Sequence, residues 1–158
     1  MPYLLQALAG GGTNKSSRRV VATKKLALLL IAALMALPIA AAAEGRVVRA
    51  ELGTDRTLDY EIVNPSSVFY TDTPKITCVW KVEGVDPSTL INTVWIADDT
   101  GGAAPPNYKV AEKSIAGVSE GSAFVTSPTN GWPAGQYHVE IFIGEKLAKR
   151  VPFTIKQR

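Results

Sequence analysis

The chain has 158 residues, with 17 Lys and Arg against 14 Asp and Glu, one Cys and one His. A single Cys excludes an intramolecular disulfide, and a single His excludes a His-rich metal cluster or a His relay. Charge is unevenly placed: residues 1–43 hold five bases and no acid, so residues 44–158, with 12 bases and 14 acids, sum to −2 and give nucleic-acid binding no electrostatic support.

Leu26–Ala43 is an unbroken apolar run of 18 residues, divided by Pro38 and preceded by Lys24 and Lys25. Ala41 and Ala43 then stand in a small-x-small pattern before Glu44. A basic n-region, a helical apolar segment and a small-residue site are the parts of a secretory signal peptide. The expectation is a leader over 1–43, cut after Ala43, with 44–158 delivered outside the cytoplasm, periplasmic or secreted. An uncleaved N-terminal anchor is the alternative, and it is the only membrane contact the sequence suggests. Ser17-Arg18-Arg19 resembles a twin-arginine export signal, with Val21 and Ala22 where that pattern places Phe and Leu.

The remaining 115 residues suffice for one modest core. Short alternating runs recur along them, which is strand patterning, and no stretch of a dozen residues keeps a 3.6 period. Expected strands are Val47–Leu52, Thr57–Val63 (Leu58, Tyr60 and Ile62 alternating with Thr57, Asp59 and Glu61), Val68–Tyr70 and Lys75–Val82. Asp86-Pro87-Ser88 can start a single helical turn. Ile91–Ala97, Tyr108–Ile115 and Gly121–Ser127 follow as strands, with Asp98–Asn107 as a loop and Pro128–Gly135 as a turn-rich corner. Gln136–Ile143 and Leu147–Lys156 close the chain as a hairpin. A two-residue turn there pairs the wrong parities, so a three-residue loop over Gly144–Lys146 or a bulge near Pro152 is needed to join the apolar sets. Pro152 places the last strand at an edge or in a bulge. Seven or eight short strands with little helix predict an all-β, antiparallel β-sandwich.

Gly135-Gln136-Tyr137-His138-Val139 resembles the tyrosine corner of immunoglobulin-like sandwiches, in which a Tyr opening the penultimate strand bonds back to the preceding loop. Immunoglobulin domains place a Cys two residues after that Tyr, and here Val139 stands there, while Cys78 is alone. The resemblance is therefore to disulfide-free sandwiches of the fibronectin type III or bacterial Ig-like kind. It implies structural roles for Gly135 and Tyr137 and no particular activity.

His138 alternates outward beside Glu140 and reads as a surface residue of its strand. Cys78 shares a face with Ile76 and Trp80 and reads as a small buried hydrophobe. Asp98 and Asp99 offer oxygen ligands in a loop, too few for a calcium site, and no other metal or cofactor is implied. Trp80 belongs to the core by its face. Trp95, between Val94 and Ile96, could face either way. Trp132 sits in a Gly- and Pro-rich loop, where it either plugs the end of the sandwich or stands exposed as a contact residue. The candidate binding residues are Trp132, Trp95, Asp98 and Asp99. The function expected is an exported, non-catalytic binding or structural module for a protein or cell-envelope component, polysaccharide included. A carbohydrate-binding module using exposed tryptophans, and a small hydrolase with a hidden site, are the alternatives. Mass spectrometry of the exported form is expected to find an N-terminus within a few residues of Glu44. An intact chain from Met1, sedimenting with membranes, is the result that favours the anchor.

Overall fold

The computed structural model describes residues 45–158, so the leader and its cleavage site lie outside the described residues. The described chain is all-β: β1 (Arg46–Gly53), β2 (Asp55–Arg56), β3 (Ile62–Val63), β4 (Val68–Tyr70), β5 (Lys75–Glu83), β6 (Leu90–Asp99), β7 (Tyr108–Ala116), β8 (Glu120–Thr126), β9 (Gly135–Ile143) and β10 (Lys146–Lys156). One sheet has the order β1-β5-β8, the other β4-β10-β9-β6-β7, and β2-β3 is a separate small hairpin. β5 pairs with β8 in one sheet and β6 with β9 in the other, so the chain crosses between the sheets from β5 to β6 and again from β8 to β9. That is the immunoglobulin-like arrangement. Pairing is antiparallel except for β4, which runs parallel to β10.

The core lies between the sheets. Ile76, Cys78, Trp80 and Val82 of β5 face Ile91, Trp95, Val139, Ile141, Phe153 and Ile155 across it. Each set follows the period of two that puts alternate side chains on one face. Trp80 lies opposite Gly121 on β8. A Cβ at Gly121 would come within 2.6 Å of the Trp80 ring, so the indole fits because β8 has no side chain there. Towards one end Tyr137 stacks on Phe153 at 5.3 Å between centroids, and Phe69 and Trp95 meet Phe153 edge-on.

Several sequence expectations change. Of the expected strand Thr57–Val63, only Ile62–Val63 is extended, as β3. Tyr60 adopts φ 57, which reverses the chain between β2 and β3, and Thr57 N donates to the Glu61 carbonyl at 2.8 Å across the turn. The apolar alternation is spent on a turn, and Leu58 is left 92% exposed. Asp86-Pro87-Ser88 forms a β-turn, Thr89 N donating to the Asp86 carbonyl, rather than a helical turn. The closing hairpin has a two-residue connection, Gly144-Glu145, and its parity is corrected by an extra residue at Ala148, not near Pro152. Past that bulge Val151 pairs with Val139 and Phe153 with Tyr137, so the apolar sets meet. Thr154 N donates to Ser67 O on the β4 side, so even-numbered amides of this stretch point there. β4 covers only residues 154–156, and Pro152 therefore aims its missing N–H at an open edge.

Trp132 points inward and is 6% exposed. Its indole Nε1 donates to the Thr73 carbonyl at 2.8 Å, and its backbone N to Thr71 O at 2.9 Å, closing one end of the core. Trp132→Ala is expected to destabilise by about 3–5 kcal/mol, read as a fall in the denaturation midpoint. A variant that melts like the parent is the contrary result.

Candidate functional site

Two clusters of charged side chains lie on the outer faces, one on each sheet, and the second also gathers exposed apolar side chains. On the larger sheet, His138 of β9 faces away from the core, as its parity predicts. It is nevertheless 7% exposed, because the ring lies between two carboxylates in the middle of the sheet. The surface-residue expectation is corrected in that respect. Nδ1 lies 2.7 Å from Asp98 Oδ1. Nε2 lies 3.3 Å from Glu140 Oε1, an ion-pair distance without hydrogen-bond alignment. Arg150 on β10 donates to Glu140 Oε1 at 2.5 Å and completes a row Asp98–His138–Glu140–Arg150. The Arg150 bond, with His138 assisting, holds the Glu140 carboxyl below the usual glutamate range. Asp98 is the extra residue where β6 shifts register against β9, so this contact pins a bulge and the start of the following loop.

The row orders a loop. The imidazole separates its two carboxylates, so they do not converge on one cation, and among the described residues no three His, Cys, Asp or Glu side chains form a metal group. Asp99 accepts from Gly101 N at 2.9 Å within the loop. Gly135 runs so close to β6 that a Cβ there would collide with the Asp99 carbonyl. Tyr137 donates its hydroxyl to the Pro133 carbonyl at 2.8 Å.

Cys78 faces the core from β5, and burial pushes its thiol up to about 12. His138 points outward from the opposite sheet, so the two form no nucleophile–base pair. Among the cavities, one of about 410 Å³ beyond β5 holds two carboxylates, Glu83 and Asp86. Glu83 is bound by Arg46 at 2.8 Å. Hydrogen bonds from Ser88 hold Asp86 below its usual range, whereas a proton donor for glycoside cleavage needs a raised value. Trp80 and Trp95 are both buried in the core, as Trp132 is, so none of the three indoles offers a face to a sugar.

The second cluster was missed in the sequence. The β2–β3 hairpin folds over the outer face of β1-β5-β8, where Arg49 of β1 holds it. Arg49 Nη1 reaches Glu61 at 2.9 Å, and Nη2 reaches the Tyr60 carbonyl at 2.9 Å and Glu120 of β8 at 2.6 Å. Arg56 Nε donates to Ser122 Oγ at 2.7 Å, and its guanidinium lies 4.5 Å over the Tyr60 ring. This cover buries Thr77 and Val79 on the outer side of β5. Beside it remains a groove of about 590 Å³ lined by Arg56, Leu58, Lys75, Ser122 and Phe124, with Thr77 in its floor. Phe124 is 62% exposed. Lys75 sits 5.8 Å from the Phe124 centroid and pairs with Asp55 at 2.7 Å. The sequence signal was available in part: Phe124 has the opposite parity to the core residues Ala123 and Val125.

No family model and no curated protein matches this sequence. Among solved structures, an immunoglobulin-like protein from Pseudomonas aeruginosa is similar at 14% identity and TM-score 0.49, over 73% of this chain and 99% of that one. The alkylpurine DNA glycosylase AlkC of Pseudomonas fluorescens, bound to DNA containing an abasic site analog, aligns at 14% identity and TM-score 0.43, over 72% of this chain and 31% of its own. The PmoD soluble domain from a Methylocystis species aligns at 10% identity and TM-score 0.41, over 68% and 90%. At these values none of them carries an argument about activity or partners.

The Glu140 carboxyl gives a pH test. Its value in the fold is lowered, so the stability it contributes is present above the ordinary glutamate value of about 4.3 and is lost as pH falls through the depressed one. Glu140→Gln is expected to flatten that part of the acid limb when melting temperature is followed against pH. Parallel acid limbs for parent and variant are the contrary result.

Proposed function

We propose that this chain is an exported, non-catalytic binding module that engages a protein or cell-envelope component outside the cytoplasm. One observation carries the reading: Leu58 at 92% and Phe124 at 62%, the two most exposed of the large hydrophobic side chains among the described residues, flank one groove. Exposing apolar surface in water is unfavourable by roughly 25 cal/mol per Å², and such residues gathered at one concavity mark a contact surface. Arg56 and Lys75 add polar direction to it, and the net charge of −2 over 44–158 supports a partner other than nucleic acid. The leader pattern over 1–43 supports the extracytoplasmic location. The Tyr137–Pro133 bond supports reading Gly135-Gln136-Tyr137 as a tyrosine corner and the domain as a disulfide-free Ig-like sandwich. The carbohydrate alternative has lost the exposed indoles it was built on.

Purified protein is expected to bind isolated envelope fraction saturably. Leu58→Asp, at a side chain with almost no packing to lose, is expected to abolish binding while leaving the melting temperature unchanged. Equal binding by parent and variant, or by neither, overturns the groove as the contact surface.

A further inference from the structure

The sandwich has four sheet edges, and three of them carry devices that discourage pairing with another chain. β1 is interrupted by an extra residue at Val48. β4 is only three residues long. β7 has an extra residue at Val110, with Lys109 just before it and Lys113 further along the strand. β8 differs. It runs for seven residues, EGSAFVT, without Pro or Lys, and pairs with β5 with no register shift. Ser127 N donates to Pro74 O, and Val82 N donates to Ser119 O. With the register fixed between those bonds, the odd-numbered backbone groups of β8 face β5. The N–H and C=O groups of Glu120, Ser122, Phe124 and Thr126 therefore face outward along the free edge.

We propose that β8 pairs antiparallel with β8 of a second copy of this chain, about a twofold axis through Ala123. This register joins all four outward-facing residues within the strand: Glu120 opposite the partner's Thr126 and Ser122 opposite the partner's Phe124. No like charges stand opposite one another. Glu120 is brought to the end of the partner strand where, on β5, the partner's Lys75 lies beside Thr126. The two Phe124 rings become diagonal cross-strand neighbours on the outer face, within reach of each other. The most exposed aromatic ring of this edge is thereby covered by its own copy, and the two grooves become continuous across the axis. The contact is isologous and closes as a dimer.

The test uses the protein expressed from its own first codon and purified as the cell leaves it. Sedimentation over a wide concentration range is expected to show a monomer–dimer equilibrium. Amide hydrogen exchange is the specific readout. The Ser122 and Phe124 amides are expected to slow as concentration rises, while those of Ala123 and Val125 are slow throughout. Phe124→Lys removes the ring pair and sets two cations diagonally, and is expected to weaken dimerisation about tenfold or more without changing the circular dichroism spectrum. A monomer at every concentration overturns the proposal. So does a dimer in which the Ser122 and Phe124 amides exchange at the monomer rate. Leu58→Asp is expected to dimerise like the parent, so failure of the envelope-binding reading and failure of this one are read separately.

Discussion

Arg49 joins segments that local sequence would leave apart. Its guanidinium reaches over β5 to Glu120 while gripping Glu61 and the Tyr60 carbonyl. A three-stranded sheet has one face for the core and ordinarily presents the other to water. Here Val79 lies on that second face and is fully buried, which requires a lid. The lid is a hairpin with only two ladder pairs, Asp55–Val63 and Arg56–Ile62, too short to persist alone. Side-chain bonds from Arg49 and Arg56 supply what the ladder lacks. The groove has residues of this clamped hairpin, Asp55 to Leu58, as one of its walls.

The clamp also explains where the sequence was legible and where it was not. The long strands show themselves through alternation because each has one face in a common core; Ile76, Cys78, Trp80 and Val82 state it plainly. The Thr57–Val63 segment alternates as well, yet Tyr60 is left-handed in a turn, its carbonyl accepts from the distant Arg49, and no local pattern encodes that partner. His138 faces outward as its parity requires, yet it is buried. Parity fixes the face of a side chain, whereas its burial depends on Asp98, forty residues away in sequence, bulging into place. The closing hairpin required a parity correction that the sequence announces without locating, because Gly, Pro and an ordinary Ala can all host an extra residue.

The distribution of chemistry across the fold is consistent with a scaffold that presents surfaces. Both side chains most suited to covalent or acid–base work are spent on structure: Cys78 inside the core, and His138 as the anchor of a loop. Carboxylates that could act in pairs are instead matched to bases or to backbone donors, as Asp55 is to Lys75, Glu83 to Arg46 and Glu140 to Arg150. The two most exposed large apolar side chains, Leu58 and Phe124, lie together at the outside of the smaller sheet.

The parallel pairing of β4 with β10 bears on how the domain responds to force. Thr71 N bonds Lys156 O and Thr154 N bonds Ser67 O, linking a strand near the start of the domain to the one that ends it. Because the two strands run the same way, pulling the chain ends apart slides one along the other. The bonds between them then bear the load together, in shear, and do not open one at a time as in a hairpin unzipped from its tip. Tension entering from the amino-terminal side meets the β1–β5 ladder first, and the short β4–β10 seam bears shear once load passes beyond β1.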